Sequence, residues 1–206
     1  MNSILFYKIM AKCYDLLDII YFHDKKNSPR KAVLDAVNRN DTILDLCTGT
    51  ASMAIQIAKR YPNTKIMGID ISKDMLRVAQ NKIHKEQITN VELPSMDATD
   101  MSFEKERFDK ILVSLILHEM DEGFAEKMIK EARRVMREDG RIIVTEWEQS
   151  KTLKRKFLFM PIHILEPKTY REFIKKDLHQ YFGKFDLEVE KEIHCNYSKV
   201  LILKKR

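Results

Sequence analysis

The sequence predicts an α/β fold: a doubly wound, mostly parallel sheet covered by helices on both faces, with an antiparallel terminal hairpin. Three observations predict it. Apolar runs of strand length alternate with segments of helical period between residues 42 and 146, the pattern of successive βαβ units. The first two runs, Ile43-Leu44-Asp45-Leu46 and Ile66-Met67-Gly68-Ile69-Asp70, carry carboxylates at or near their ends and are separated by a Gly-containing turn and a helical segment. Finally, Leu187-Glu188-Val189-Glu190 and Val200-Leu201-Ile202-Leu203 flank Asn196-Tyr197-Ser198, which reads as an antiparallel hairpin on the sheet edge.

Each element has its own signal. Ile4, Leu5, Ile9, Leu16, Leu17 and Ile20 fit a helix or broken helix with one buried face over residues 2–21. Ser28-Pro29 suits a helix start, since a proline in the first turn gives up no hydrogen bond, and that helix should stop near Asn38–Asn40. Thr42–Cys47 is the first strand. Met53, Ala54, Ile57 and Ala58 recur at helical spacing before Pro62, and Lys65–Asp70 is the second strand. Ser72 is placed to cap a helix that has Asp74 in its first turn and Met75, Leu76, Ala79 and Ile83 on its apolar face. Asn90–Leu93 is a short third strand, and Lys110–Ser114 lies at the heart of the fourth. Phe124, Met128, Ile129, Ala132 and Val135 mark a long amphipathic helix, with Asp139-Gly140 expected as its stop. Arg141–Glu146 is the fifth strand.

Composition bounds the function. The chain has 206 residues, enough for one well-packed domain, with 44% hydrophobic and 33% charged residues, as expected of a globular protein. No run approaches the roughly 18 apolar residues of a membrane span, and Lys8 and Lys12 interrupt anything resembling a signal peptide. Three separated cysteines, Cys13, Cys47 and Cys195, suggest neither a disulfide framework nor a zinc site. A reduced, cytoplasmic protein without a bound metal is therefore expected. The net charge of +6 is local, concentrated at Lys151, Lys154, Arg155 and Lys156 and at Lys204-Lys205-Arg206. Such clusters suit a solvated face, phosphates or an anionic membrane.

The candidate site is the turn between the first two strands. Asp70 follows Gly49 by the roughly 20 residues that place an acid on a ribose diol in a nucleoside-binding βαβ unit. Asp45 alters the expected ligand. A carboxylate beside this loop would repel a pyrophosphate, but it suits a ligand that ends in a cationic ammonium. S-adenosylmethionine, with adenosine at one end and an amino acid at the other, is such a ligand.

Several motifs share one resemblance. Ala11-Lys12-Cys13-Tyr14-Asp15, Leu44-Asp45-Leu46-Cys47-Thr48-Gly49-Thr50, Gly68-Ile69-Asp70-Ile71-Ser72-Lys73-Asp74-Met75-Leu76, Asp97-Ala98, Phe108-Asp109, Leu117-His118 and Glu131-Ala132-Arg133-Arg134-Val135-Met136 occur in that order. Together they resemble class I S-adenosylmethionine-dependent methyltransferases, and within these the ubiquinone/menaquinone C-methyltransferase-like small-molecule group. The resemblance covers the chain from about residue 10 onward. It implies a Rossmann-like methyltransferase fold of seven strands, the last two forming the antiparallel pair. It also implies methyl transfer from S-adenosylmethionine to a small-molecule or lipid-like acceptor by in-line displacement.

The roles expected under this resemblance are specific. Cys47, Thr48, Gly49 and Thr50 form the cofactor loop, with Asp45 toward the methionine ammonium and Asp70 on the ribose hydroxyls. Ile71 and Met75 flank the adenine, while Asp97 and the Ala98 amide meet its edge. Ser114 and Leu115, where the fourth strand ends, face the methionine part, as expected of ligands bound across strand C-termini. The family loop often has glycines where Cys47 and Ala51 stand; alanine is tolerated at the second of these if that glycine serves helix–strand packing, and Cys47 reads as a small hydrophobe. His118 and Tyr14 are the catalytic candidates, the first as base or substrate contact and the second closing the site. Their alternative is a structural role.

The remainder of the chain is divided around that core. Residues 1–40 are expected as a helical cap, 41–149 as the cofactor-binding core, 150–168 as a substrate lid, and 169–206 as a helix with the hairpin, all in one domain. Within the lid, Lys151–Leu165 is basic and then apolar. That composition suits an apolar acceptor or a peripheral membrane contact, with Phe157, Phe159 and Met160 lining the pocket beside Tyr7 and Tyr14. Two rival readings exist, a non-catalytic S-adenosylmethionine-binding protein and a nicotinamide-dependent oxidoreductase. Nucleic acid is not an expected partner, because an aromatic-interleaved basic stripe is missing.

Overall fold

The computed structural model describes residues 27–148, 173–195 and 198–206. The helices among the described residues are α1 (Pro29–Asp35), α2 (Ser52–Arg60), α3 (Lys73–Lys85), α4 (Glu122–Val135) and α5 (Leu178–Gly183). The strands are β1 (Thr42–Leu46), β2 (Lys65–Ile69), β3 (Val91–Glu92), β4 (Phe108–Ser114), β5 (Met136–Trp147), β6 (Leu187–His194) and β7 (Ser198–Lys205). They form one seven-stranded sheet in the order β3-β2-β1-β4-β5-β7-β6. Strands β1 to β5 pair in parallel, and β7 runs antiparallel to both β5 and β6. The terminal hairpin thus places its second strand inside the sheet and its first on the edge.

Strand periodicity divides the core into two layers. Leu44, Leu46, Ile111, Val113, Ile142 and Val144 face the α4 and α5 side, whereas Ile43, Leu112 and Ile143 face α1, α2 and α3. Helix α4 supplies Met128, Ile129, Ala132 and Val135 to the first layer, as its period predicts, but Phe124, expected on the same face, is 57% exposed in the first turn and Ala125 takes the inward position. Met128, Ile129 and Val135 are fully enclosed, and burying each such side chain contributes about 1.5–3 kcal/mol. The capping signals are realised as well. Ser28 Oγ accepts from the Arg30 N–H at 3.2 Å, and Ser72 Oγ accepts from the Met75 N–H at 3.3 Å.

Arg134 explains part of the motif around it. Its guanidinium donates to Phe103 O and Met101 O, both at 2.8 Å, while Glu131 Oε2 accepts from the Met101 N–H at 2.9 Å. These bonds pin the loop that follows Asp97 onto α4. The Arg134 guanidinium also lowers the pKa of Glu131 below its ordinary value.

Two boundaries differ from expectation. Helix α1 ends at Asp35, with Ala36 as its C-cap, short of residues 38–40. Helix α4 ends at Val135, and Asp139-Gly140 lies within β5, opposite the irregular register between Phe108 and Lys110. Gly140 is needed there for space. A Cβ on it would stand 2.7 Å from Met136 Cγ and 3.1 Å from both Arg137 O and Asp109 O. Among the described residues, no helix is long and apolar enough to cross a membrane. The expected N-terminal cap around Tyr7 and Tyr14, and the lid with Phe157, Phe159 and Met160, lie outside the described residues.

Candidate functional site

The sheet reverses its winding between β1 and β4, and open α/β sheets bind ligands at such a switch point, beyond the strand C-termini. The loop leaving β1 occupies that position. Its backbone is fixed by Thr48 N–H donating to Ile69 O and Ala51 N–H donating to Thr48 O, both at 2.9 Å. Cys47, Gly49 and Ala51 all adopt left-handed φ, at 52°, 56° and 57°. Glycine accepts this conformation without steric cost, whereas an L side chain there costs about 1–2 kcal/mol. Ala51 is fully buried, so its position does serve packing, but it also carries a backbone constraint that the sequence reading did not assign. Cys47 packs against the core, and burial, followed by the charges of Asp70, Asp45 and Asp97, pushes its thiol up to about 12. It is an unreactive small hydrophobe at pH 7.

A Cβ built on Gly49 would meet nothing within 4 Å, so the loop opens onto free space at this residue. Two carboxylates border the loop. Asp45 is 3% exposed, and its Oδ2 accepts from Thr48 Oγ1 at 2.6 Å. Burial pushes its pKa up to about 7, opposed by the Thr48 hydroxyl and reinforced by the charge of Asp70. Asp70, half-buried at the end of β2, accepts from Gly49 N–H at 2.9 Å through Oδ2 and from Ser72 N–H at 2.8 Å through Oδ1. Each oxygen keeps a further lone pair, so the same carboxylate builds the loop and still offers two acceptors to a diol.

The other expected contacts surround this loop. Ile71 is 74% exposed, an uncommon position for an isoleucine and a suitable platform for a flat ring. Met75 is half-buried in the first turn of α3. Asp97 is exposed, and the amide and hydroxyl of Thr99 hold its carboxyl below the usual range, so it is an ionised acceptor. Ala98 is buried beside it. Ser114 and Leu115 are half-buried at the end of β4, where Leu115 takes a left-handed φ of 54° and its N–H donates to Thr145 O at 2.8 Å. Thr50 is placed differently from its neighbours. Its hydroxyl is engaged by Ser52 Oγ at 3.1 Å and Lys82 Nζ at 3.0 Å, which ties the loop to α2 and α3.

These groups suit S-adenosylmethionine by their chemistry. A buried carboxylate half-protonated near neutrality gains from an ammonium, the open space at Gly49 admits close approach, and Asp70 retains paired acceptors.

His118 is 2% exposed, in the loop after β4. Its Nδ1 lies 2.7 Å from Glu146 Oε2, and the other Glu146 oxygen accepts from Leu117 N–H at 2.8 Å. A carboxylate only accepts, so Nδ1 carries the proton shared with Glu146, and this contact fixes the orientation of the ring. Nε2 is 3.8 Å from Glu119 Oε1. Sequence reasoning missed Glu146, which is 1% exposed on β5. The signal was present: Glu146 shares the pleat face of Ile142 and Val144, so a carboxylate projects where the pattern calls for an apolar side chain. Tyr14 lies outside the described residues.

Comparison with known proteins gives concordant results. A sequence model described as "Methyltransferase domain" matches residues 37–193. A demethylmenaquinone methyltransferase of Oceanobacillus iheyensis is 25% identical over 200 residues, covering 91% of this chain and 83% of that protein. One from Staphylococcus saprophyticus is 29% identical over 180 residues, covering 86% of this chain and 72% of its own length. Among solved structures, a SAM-dependent methyltransferase from Aquifex aeolicus superimposes with a TM-score of 0.75 at 18% identity, over 96% of this chain and 97% of the other. At that identity the likeness concerns the fold.

Proposed function

The chain belongs to the methyltransferase domain family, and from that premise we propose that it methylates a ring-bearing, lipid-like acceptor of the quinol type. S-adenosylmethionine is the methyl donor, and the reaction is methyl transfer to a small molecule. Neither the non-catalytic nor the nicotinamide reading is favoured by the family match. When bound, S-adenosylmethionine supplies an electrophilic methyl group on a sulfonium. The protein's task is then to align donor and acceptor and to exclude water.

The residues divide this work. Asp45 orients the ammonium, Asp70 the ribose, and Asp97 with the Ala98 amide the adenine edge, while Ile71 and Met75 flank the ring. Cys47, Thr48, Gly49 and Thr50 give the loop its path, and Ser114 and Leu115 bound the methionine end. His118 serves as the base, its tautomer fixed by Glu146, and takes the proton that a hydroxylated ring must lose. By composition, the basic and apolar halves of residues 151–165, which like Tyr14 lie outside the described residues, suit a membrane-dissolved substrate approached from its surface.

The observation that carries the reading is the pairing of Asp45 and Asp70 around the open face of Gly49. Two relatives named as demethylmenaquinone methyltransferases point to the acceptor class. The test supplies labelled S-adenosylmethionine with a reduced, short-chain demethylmenaquinone, an unprenylated naphthohydroquinone and a polar catechol. Transfer that favours the prenylated quinol is expected. Equal or greater transfer to the catechol would remove the lipid-like acceptor, and failure to bind S-adenosylhomocysteine would remove the whole reading.

A further inference from the structure

At the same strand-C-terminal end of the sheet as the loop after β1, but out toward the β6 edge, the fold gathers side chains far apart in sequence. Glu148 follows β5, and Glu192 and His194 lie two residues apart on the edge strand β6. One donor atom from each lies within 4.8 Å of the others. His194 Nδ1 stands 2.8 and 3.0 Å from the two Glu148 oxygens. Glu192 divides its carboxylate: Oε1 accepts from Lys199 Nζ at 3.0 Å, while Oε2 is 3.2 Å from Nε2 of His179 on α5.

We propose that Glu148, Glu192 and His194 form a site for one divalent transition metal ion of the zinc type, with His179 as an adjacent fourth donor. The donor set selects the ion. Imidazole nitrogen with carboxylate oxygen suits zinc, whereas magnesium and calcium take oxygen alone. Bonds of about 2.0–2.2 Å in tetrahedral geometry set neighbouring donors roughly 3.3 Å apart. The His194–Glu148 contacts would widen by tenths of an ångström, while the Glu192 donor, within 4.8 Å of the other two, would close in by up to about 1.5 Å. His194 and His179, at 62% and 59% side-chain exposure, have the freedom to do so.

Charge is arranged to match. Lys199 neutralises the outer oxygen of Glu192 and leaves Oε2 for the ion, and Glu148 contributes the second carboxylate. No metal-ligand spacing marks these residues in the sequence, because register brings them together. Lys199 pairs with Glu146 on β5 and with His194 on β6, so β7 places the end of β5 beside the edge strand. The competing explanation is a pair of ordinary surface ion pairs, His194 with Glu148 and His179 with Glu192, which need no ion.

Calorimetric titration of the chelator-stripped full chain with zinc chloride separates the two. One equivalent should bind with a dissociation constant in the micromolar range, magnesium chloride should give no heat of binding, and zinc should raise the melting temperature. His194→Ala and Glu148→Gln should each weaken binding at least tenfold and abolish the thermal shift, with His84→Ala as an unaffected control. Non-stoichiometric binding, binding that survives both substitutions, or binding lost on Cys195→Ser and kept in His194→Ala would overturn the proposal.

Discussion

Asp45→Asn makes cofactor affinity and protein stability answer differently to pH. In the free protein the Asp45 carboxyl titrates at about 7, against 3.8 for an unburied group, chiefly because it is buried. An ammonium ligand prefers the ionised form. A group of pKa about 7 is roughly one-tenth ionised at pH 6 and three-quarters ionised at pH 7.5, and apparent affinity scales with the competent fraction. S-adenosylhomocysteine, which carries the same ammonium, should therefore bind about 8-fold more weakly at pH 6 than at pH 7.5. The sign for stability is opposite. The raised folded pKa means that Asp45 contributes stability in full below about pH 4 and loses it as pH rises through about 7. In Asp45→Asn both slopes should flatten, and affinity at pH 7.5 should fall toward the wild-type value at pH 6. Calorimetry between pH 5.5 and 7.5, with urea denaturation of the ligand-free protein in the same buffers, measures both. A wild-type affinity independent of pH, or a slope that persists in the variant, would refute the assignment of Asp45 to the ammonium.

Three further predictions follow from other parts of the structure. Asp70→Ala removes the acceptor for the Gly49 and Ser72 amides, so it should destabilise the ligand-free fold by about 2–4 kcal/mol, allowing for water at half-exposed amides. It should also weaken S-adenosylhomocysteine at least tenfold; a wild-type urea midpoint and affinity would contradict both roles. Glu146→Gln should reduce single-turnover methyl transfer about 10²-fold with cofactor affinity retained, and combining it with His118→Ala should cost little more than His118→Ala alone. Additive losses would show that the two residues do not act as a unit. Gly140→Ala should destabilise by about 1–3 kcal/mol in urea through contact with Met136 and the Asp109 carbonyl. A neutral substitution would mean that β5 yields at that point.

Elements whose signal is local were legible in the sequence. The runs ending near Asp45 and at Asp70 became β1 and β2, Ser72 became a cap, and the two apolar stretches around Asn196 became the β6–β7 pair. What escaped depends on contacts between distant residues. Gly140 looked like a helix stop because glycine commonly ends helices, but its requirement arises from the Asp109 carbonyl on the neighbouring strand. Ala51 looked like a packing substitution because its φ is set by the hydrogen bond to Thr48 and not by its own identity. Glu146 was passed over as a strand residue because its partner, His118, lies on another strand's loop. The turn after β1 could be read because one short segment carries it, whereas the Glu146 partner of His118 and the Glu148–Glu192–His194 cluster could not, because sheet register assembles them.

The position of β7 also bears on how the chain is made. The ribosome releases β5 well before β7, yet β7 fills the place directly beside it, with Val200, Leu201 and Leu203 fully enclosed. Until Ser198–Lys205 emerges, the nascent chain carries Ile142, Ile143 and Val144 on an open ladder of backbone donors and acceptors, the kind of edge that recruits other strands. A message truncated before Ser198 would therefore yield an aggregation-prone product even though it encodes the whole cofactor loop. Quality control during translation then bears on Ser198–Lys205 as heavily as on the strands made before it.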